Sequence, residues 1–492
     1  MMKKKVIVIG GGIAGLSAGI YAIRCGFDVT ILEGHGIAGG NCTSWKRGDY
    51  LFEGGMHWLG GADGKEPINK AWHTVGALDD SVVIHTPEPF MEYHHNGTPV
   101  RIYRNVDETE RHFLELSPPD EKKIRKLCGD IRKLRGLSVP IFDLRGVKVT
   151  KKERMPLASL FSALSALRVM RKYSGSSGKD AVTFTHEGLR DMFRSFTNDG
   201  LAFMMLTFGS LANGDGGFPE GGSLPFVARI VKRFTDMGGE LLCGTHVEKV
   251  TVKDGKMTGV ITSSGTMTAD AVIVASDTMT ADRLFDIPLR SPWLDVMRRT
   301  AEPTMVTFIS LGINADLRKY HKYTVFKTER PIALATREYE FLAVNNYASD
   351  PVYSPNGRTA MTIQLSGDTY DFWRTAKEKG VYEEEKKRIA AAVIDALASH
   401  IPETKGKVEV CDVATPLTYE RYCGNWKGSW MTEMTPDMKF RDYPAVIKGL
   451  SGVYFAGQRM MPPGGLPAAV MTGRAAVQYL CRDTGTIFVS EE

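Results

Sequence analysis

The residues Lys5-Val6-Ile7-Val8-Ile9 run directly into Gly10-Gly11-Gly12-Ile13-Ala14-Gly15. An apolar, β-branched run predicts a buried strand, and the pattern that leaves the glycines predicts a helix. The glycines are spaced G-x-G-x-x-G at Gly10, Gly12 and Gly15. Gly10 permits a tight turn, Gly12 lets backbone approach a pyrophosphate, and Gly15 lets helix and strand pack closely. The phosphates then rest on the N–H groups of Ile13 and Ala14, at the positive end of a helix. A second strand, Phe27 to Glu33, ends in an acid 18 residues after Gly15. A carboxylate there grips a ribose 2′-hydroxyl and favours FAD or NAD over NADP. A glycine-rich turn alone is weak evidence. Strand, glycines, helix, second strand and Glu33 in this order make dinucleotide binding the stronger reading.

Two further glycine sites follow closely. Gly39-Gly40 precedes Asn41, and the short strand Tyr50-Leu51-Phe52-Glu53 runs into Gly54-Gly55-Met56-His57-Trp58. Three close-approach backbone sites within sixty residues suggest one long ligand lying across them. FAD, longer and more enclosed than NAD, fits better.

With 492 residues the chain can bury a large core and holds two or three domains. Its 43% hydrophobic and 24% charged residues are those of a soluble globular protein. No apolar run reaches the ~18 residues of a membrane span. The basic start at Lys3-Lys4-Lys5 imitates a signal peptide, but the apolar run breaks at once into glycines. Seven scattered cysteines without a C-x-x-C pair predict reduced thiols, no metal site and a cytoplasmic location.

Charge is uneven. The chain carries +5, yet residues 121–180 hold 16 Lys or Arg against 5 Asp or Glu. Ser117-Pro118-Pro119-Asp120 predicts a turn and N-cap before a basic helix, Glu121 to Arg135. After Met155-Pro156, a second helix carries Leu157, Leu160, Phe161, Leu164 and Leu167 at helical spacing, closes with Arg168, Arg171 and Lys172, and stops at Ser174 to Gly178. An ordinary surface helix is one reading. A mobile lid or a helix touching a membrane surface through 121–173, at the inner face, is the other. A nucleic-acid partner is disfavoured, because a leucine stripe replaces interleaved stacking aromatics.

The turn Gly217 to Ser223 precedes a helix from Leu224 to Met237, ended by Gly238-Gly239. Four strand-like runs follow between Glu240 and Ala275, two joined by a hairpin at Asp254-Gly255. A second excursion holds strands at Met305 to Leu311 and Thr359 to Leu365, and a helix led by Tyr382. The chain closes with Val453-Tyr454-Phe455-Ala456-Gly457, then Gln458 to Pro467, then a helix from Ala468 to Leu480. The N–H groups at Leu466-Pro467-Ala468 would stabilise the anion formed at a flavin pyrimidine.

Taken together, Gly10 to Glu33, Gly39-Gly40, Phe52 to His57, Phe218 to Gly222, Val247 to Val250 and Tyr454 to Gly457 with Pro463 to Pro467 and Gly473-Arg474 resemble one family. It is that of FAD-dependent phytoene desaturases, carotenoid isomerases and retinol saturases, within the amine-oxidase-like flavoproteins. The resemblance implies an α/β fold: a discontinuous Rossmann-type FAD-binding domain with a central parallel sheet, and an inserted mixed α+β substrate domain. The boundaries would be 1–80, 215–290 and 446–492 for the first, and 81–214 and 291–445 for the second. It implies cofactor contacts at Gly10, Gly12, Ile13, Ala14, Gly15, Glu33, Gly39, Gly40, Asn41, Gly55, Met56 and His57. Further contacts would come from Val247, Ala275, Gly457, Gln458, Gly465, Leu466, Pro467 and Ala468. Asn41 stands where the desaturases usually carry arginine, and Gly55-Met56-His57-Trp58 is nearer the isomerase and saturase pattern.

Members act on long apolar polyenes or retinoids. The expected reaction is hydride transfer between flavin N5 and an allylic or olefinic carbon, in the desaturating or saturating direction. No second strand–G-x-G-x-x-G–helix unit is visible, so electrons exchange with substrate, with oxygen or quinone, or with a partner protein. His57 and Trp58 are the candidates for facing the flavin, with His57 as proton donor or acceptor or as a loop anchor. Met204, Met205, Met460, Met461, Tyr422 and Trp430 are candidates for the apolar pocket, with plain core packing as the other reading of each, and Arg459 is a candidate for the flavin's surroundings or the pocket mouth, with a solvated arginine as the alternative. Redox-neutral cis–trans isomerisation, an amine oxidase activity and a flavin-bound carrier of apolar ligands are the alternatives.

Overall fold

The computed structural model describes residues 3–64, 66–135, 141–152, 157–173, 182–196, 200–433 and 443–491, with backbone alone over 157–163. Met155-Pro156, the side chains of Leu157, Leu160 and Phe161, and the break at Ser174 to Gly178 lie outside the described residues.

The opening strand, Lys5–Ile9, is the middle of a five-stranded sheet in which every neighbour is parallel. The order is Val453–Phe455, Ala271–Val274, Lys5–Ile9, Asp28–Glu33, Glu240–Cys243. Val6, Val8, Ile31, Val272, Ile273 and Val274 are all buried, as a parallel sheet covered on both faces requires. Three distant stretches of chain thus build one sheet. The opening helix, Ile13–Arg24, and the closing helix, Gly465–Thr484, pack against each other. A Cβ on Gly473 would overlap the Ala14 carbonyl, so the glycine sets how close the two helices lie. Of the four runs between Glu240 and Ala275, only the outer two join this sheet. Val247–Lys253 and Lys256–Thr262 turn away with Gly265–Thr268 as a separate antiparallel sheet.

A second sheet has seven strands: Val408–Ala414, Val306–Ile313, Thr359–Ser366, Arg337–Asn346, Tyr323–Leu334, Met91–His95 and Thr98–Ile102. Val306–Ile313 is buried along its whole length. Two stretches from the predicted excursions pack on the first core instead. Trp293, Leu294 and Met297 of the helix Pro292–Thr300 lie in it, and Val149 pairs with Phe488 near the C-terminus.

The helices Glu121–Leu134, Leu157–Tyr173 and Leu201–Ala212 form a third cluster with Phe208 and Leu211. The predicted N-cap differs: the Asp120 carboxylate accepts from Ser117 Oγ (2.8 Å) and Thr185 N (2.5 Å), and does not cap the helix. The two described side chains of the predicted leucine stripe also point elsewhere. Ala166, Val169, Met170 and Tyr173 form the buried face, and Leu164 and Leu167 face outwards. Part of the basic charge is paired at once. Arg125 and Arg132 reach Glu110, Lys133 reaches Asp130, and Lys172 is turned in to Asp130.

Candidate cofactor and substrate site

The carboxyl ends of the parallel strands open into one cavity of about 3310 Å3. Gly10 ends the opening strand at φ 103°, where a side chain would be strained and would press on the Ala275 backbone. Gly12 starts the opening helix without a side-chain cap, and no acid occupies the first turn. The N-terminal dipole end is therefore left uncompensated, with Ile13 and Ala14 on the cavity wall. Gly39 bridges to Gly12, and its N–H donates to the Gly11 carbonyl (2.9 Å), which lays the glycine pair beside the first turn. Glu33 Oε2 accepts from Gly11 N (2.6 Å) and Oε1 from His35 N (2.7 Å). Each oxygen keeps lone-pair capacity for a ribose hydroxyl.

Of the residues expected to hold the cofactor, Gly10, Gly12, Ile13, Ala14, Glu33, Gly39, Gly40, Asn41, Gly55 and His57 wall this cavity. So do Val247 and Ala275, from the middle of the chain, and Gly457, Gln458, Gly465, Leu466 and Pro467, from its far end. Three do not. Gly15 is packed against the Gly10 carbonyl behind the wall. Met56 is buried, with its N–H on Glu53 Oε1 (2.9 Å). Ala468 is buried inside the closing helix. The start of that helix also offers fewer donors than expected, because Pro467 has no N–H and Gly465 donates to Gln458 Oε1 (3.0 Å). Leu466 remains.

Glu53 ties the site together. Its buried carboxylate accepts from Ser44 Oγ, the N–H groups of Gly55, Met56 and Ser223, Ser223 Oγ and Tyr353 OH. These bonds hold the His57 loop in register with the helix Ser223–Asp236. Gly222 sits so close to Glu53 that a Cβ would collide with it.

His57 comes from the first unit but is gripped by the second. Its ring lies nearly parallel to Phe308 (6.2 Å, 20°) and edge-on to Trp430 (6.1 Å). Its Nε2 meets the Gln364 amide, and its carbonyl accepts from Tyr323 OH. Burial, with the nearby Lys322 charge in second place, pushes the imidazole down to about 4. It is neutral at physiological pH. Lys322 itself is lowered to about 8 by burial and sits over the Phe218 ring (3.5 Å). Trp58 packs on Phe90 and Phe203 and also walls the cavity. Gln364, Phe308, Tyr323 and Lys322 carry no motif. The only sequence signal is a lone amide in the apolar strand around Ile363 and Leu365.

Arg459 walls the cavity and is not solvated. It is buried, with a forked contact to Asp277 (2.9 Å to each oxygen) and bonds to Met431 O, Thr432 Oγ1 and Ser429. It thereby fastens the loop that carries Trp430. Met204, Tyr422 and Trp430 line the cavity, whereas Met205 and Met460 belong to cores and Met461 packs against one. Leu167, Met170, Phe196, Leu201, Phe203 and Phe341 add an apolar stretch to the same wall. Small-ligand sites occupy ~300–1,000 Å3, so this cavity has room for more than a dinucleotide.

A family model described as flavin containing amine oxidoreductase matches residues 13–481. The chain belongs to this family. The glycine cradle, the uncapped helix start, Glu33 and the buried Nδ1 of His57, without a hydrogen-bond partner among the described residues, fit its cofactor, FAD, and the protein is an FAD-dependent oxidoreductase. The chain is similar to prolycopene isomerase 2 of an Oncidium hybrid (23% identity, 97% of this chain, 84% of the relative). It is also similar to the all-trans-zeta-carotene desaturase of Myxococcus xanthus (25%, 98% and 94%) and to the all-trans-retinol 13,14-reductase of Danio rerio (22%, 86% and 76%). Among solved structures, an oxidoreductase from Methanosarcina mazei shares the fold (TM-score 0.59, 19% identity, 96% and 100% covered).

Proposed function

We propose that this oxidoreductase acts on C–C or C=C bonds of an apolar polyene, isoprenoid or retinoid-like substrate. One observation carries the reading. The cradle for the dinucleotide and the apolar side chains Leu167, Met170, Leu201, Phe203 and Phe341 line the same cavity, so an apolar substrate can lie against the second while its reacting carbons meet the first. The relatives named for carotenoids and retinol support it.

When bound, FAD supplies hydride acceptance or donation. The chain's own residues bind, orient and dry the site. Leu466 N–H and the positive end of the closing helix favour negative charge at the cavity wall. His57, neutral, offers a hydrogen bond without placing a cation beside a polyene. Phe308, Trp430 and Trp58 exclude water.

The substrate enters, on this reading, from a membrane surface. Leu167 (42% exposed) and Phe203 (37%) both wall the cavity and reach solvent, with Leu164, Arg168 and Arg171 exposed beside them. Apolar side chains at an opening flanked by arginines suit the headgroup boundary of a lipid layer. The protein is then cytoplasmic and peripheral at the inner membrane face.

The test is anaerobic incubation of the yellow holoprotein with prolycopene, zeta-carotene or all-trans-retinol, following flavin absorbance and products by chromatography. Flavin bleaching matched by a product two hydrogens poorer, or reoxidation of photoreduced flavin matched by one two hydrogens richer, is the expected result. An isomer formed without net electron change shifts the assignment to isomerisation. Bleaching by putrescine but by no polyene overturns the reading.

A further inference from the structure

The grip on His57 has a specific geometry. Phe308 and Gln364 are direct partners across the antiparallel ladder between Val306–Ile313 and Thr359–Ser366. Opposed residues project to the same face. Phe308 therefore supports the His57 ring from its flat side while Gln364 reaches the ring edge at Nε2. Tyr323, from a third strand of the same sheet, holds the His57 backbone carbonyl. The loop after Gly55 is thus clamped by one rigid sheet at three points. A carboxamide nitrogen only donates. With the amide turned as it is, Nε2 accepts and the ring proton resides on Nδ1, a buried atom with no hydrogen-bond partner among the described residues.

We propose that Gln364, opposite Phe308 on the ladder, is a positioning residue that fixes the orientation of His57 and keeps its proton on Nδ1. Its role in turnover rests on the reading that the cavity beside His57 holds the flavin and a polyene; the contact itself does not. An imidazole whose tautomer is set by its other hydrogen bond is a directional group, donor at one edge and acceptor at the other. A neutral amide achieves this without charging the ring. A carboxylate at the same place would favour imidazolium. The charged groups facing the ring from the packed elements are few: Lys322 opposes protonation, and Glu53 lies behind Lys322 and Tyr323. Phe308, Trp430 and Gln364 carry no charge.

The experiment compares wild type, His57→Asn, Gln364→Glu and the double variant as FAD-loaded proteins. Melting temperature and flavin absorbance are recorded from about pH 5 to 8, the window in which a histidine of ordinary affinity titrates. Relative to His57→Asn, wild type melts progressively lower as pH falls below about 6.5, because folding holds the ring neutral. In Gln364→Glu that acid-side loss disappears or reverses against the double variant, and a one-proton transition, absent from the double variant, enters the flavin spectrum. Changed melting with a silent flavin upholds the clamp and overturns the placement of His57 beside the flavin. An unchanged acid-side loss in folded, FAD-loaded Gln364→Glu overturns the proposal. If that variant does not load FAD, long-range proton–nitrogen spectra of wild type labelled at histidine nitrogen decide, with His57 assigned by His57→Asn. The Nδ1–H tautomer supports the proposal, and the Nε2–H tautomer overturns it.

Discussion

His57 shows how far one residue's behaviour is set by what surrounds it. Its proton affinity drops from about 6.5 in the unfolded chain to about 4 when folded, chiefly by burial. As pH falls, the unfolded chain therefore takes up the proton first. The stability contribution is complete above about 6.5 and is lost on the way down to the folded value, by up to about 3 kcal/mol. His57→Asn is expected to flatten the acid side of the melting curve, measured as melting temperature against pH. Arg474 presents the opposite case, a buried charge with good partners. It pairs with Asp143 (2.7 Å) and with Glu491, and all three side chains are almost wholly buried. Arg474→Met removes the buried cation that Asp143 and Glu491 share, and denaturant unfolding should show a loss of ~3–5 kcal/mol. The sequence named His57, Glu33 and the cavity-wall glycines because glycine and a strand-end acid act through backbone and spacing, which are local. It did not name Gln364, Tyr323 or Asp277, whose partners lie 307, 266 and 182 positions away.

Secondary elements were legible wherever hydrophobic period and glycine punctuation agree. The helix Glu121–Leu134, the hairpin at Asp254-Gly255 and the strands Val306–Ile313 and Thr359–Ser366 formed within one or two residues of expectation. Faces were less legible than bounds. Leu164 and Leu167 have helical spacing, yet the neighbours available to Leu157–Tyr173 bury Ala166, Val169, Met170 and Tyr173 instead. Packing of the opening on the closing helix depends on one missing side chain. Gly473→Ala forces the Ala14 carbonyl and Ser17 apart and is expected to cost ~1–3 kcal/mol by overpacking. Because the opening helix begins at the cofactor cradle, bound flavin should fall as well, read as visible absorbance per protein. An alanine variant that keeps full flavin and full stability would show that the helices can move apart freely.

At the scale of the whole molecule, the cavity is a product of connectivity. Its walls come from the first 60 residues, from 245–284, from strands and loops between 302 and 433 and from the last 40, and Leu167, Met170, Leu201 and Phe203 reach it from helices inserted between them. Replacing Leu167 and Phe203 with aspartate together should reduce co-sedimentation with anionic phospholipid vesicles while leaving bound FAD unchanged; undiminished sedimentation removes this patch as the contact. Ion pairing engages Arg125, Arg132, Lys133 and Lys172, while Arg168 and Arg171 stay exposed, as do Lys122, Lys126, Arg145, Lys148, Lys151 and Lys152. The sequence by itself determined the dinucleotide cradle, the cofactor and the existence of two interleaved units, since each follows from glycine positions, strand runs and a family pattern. Tertiary structure decided which basic residues stay exposed, which leucines reach solvent and what holds His57. Those properties depend on the partner a side chain meets across hundreds of residues, and neither period nor spacing encodes that.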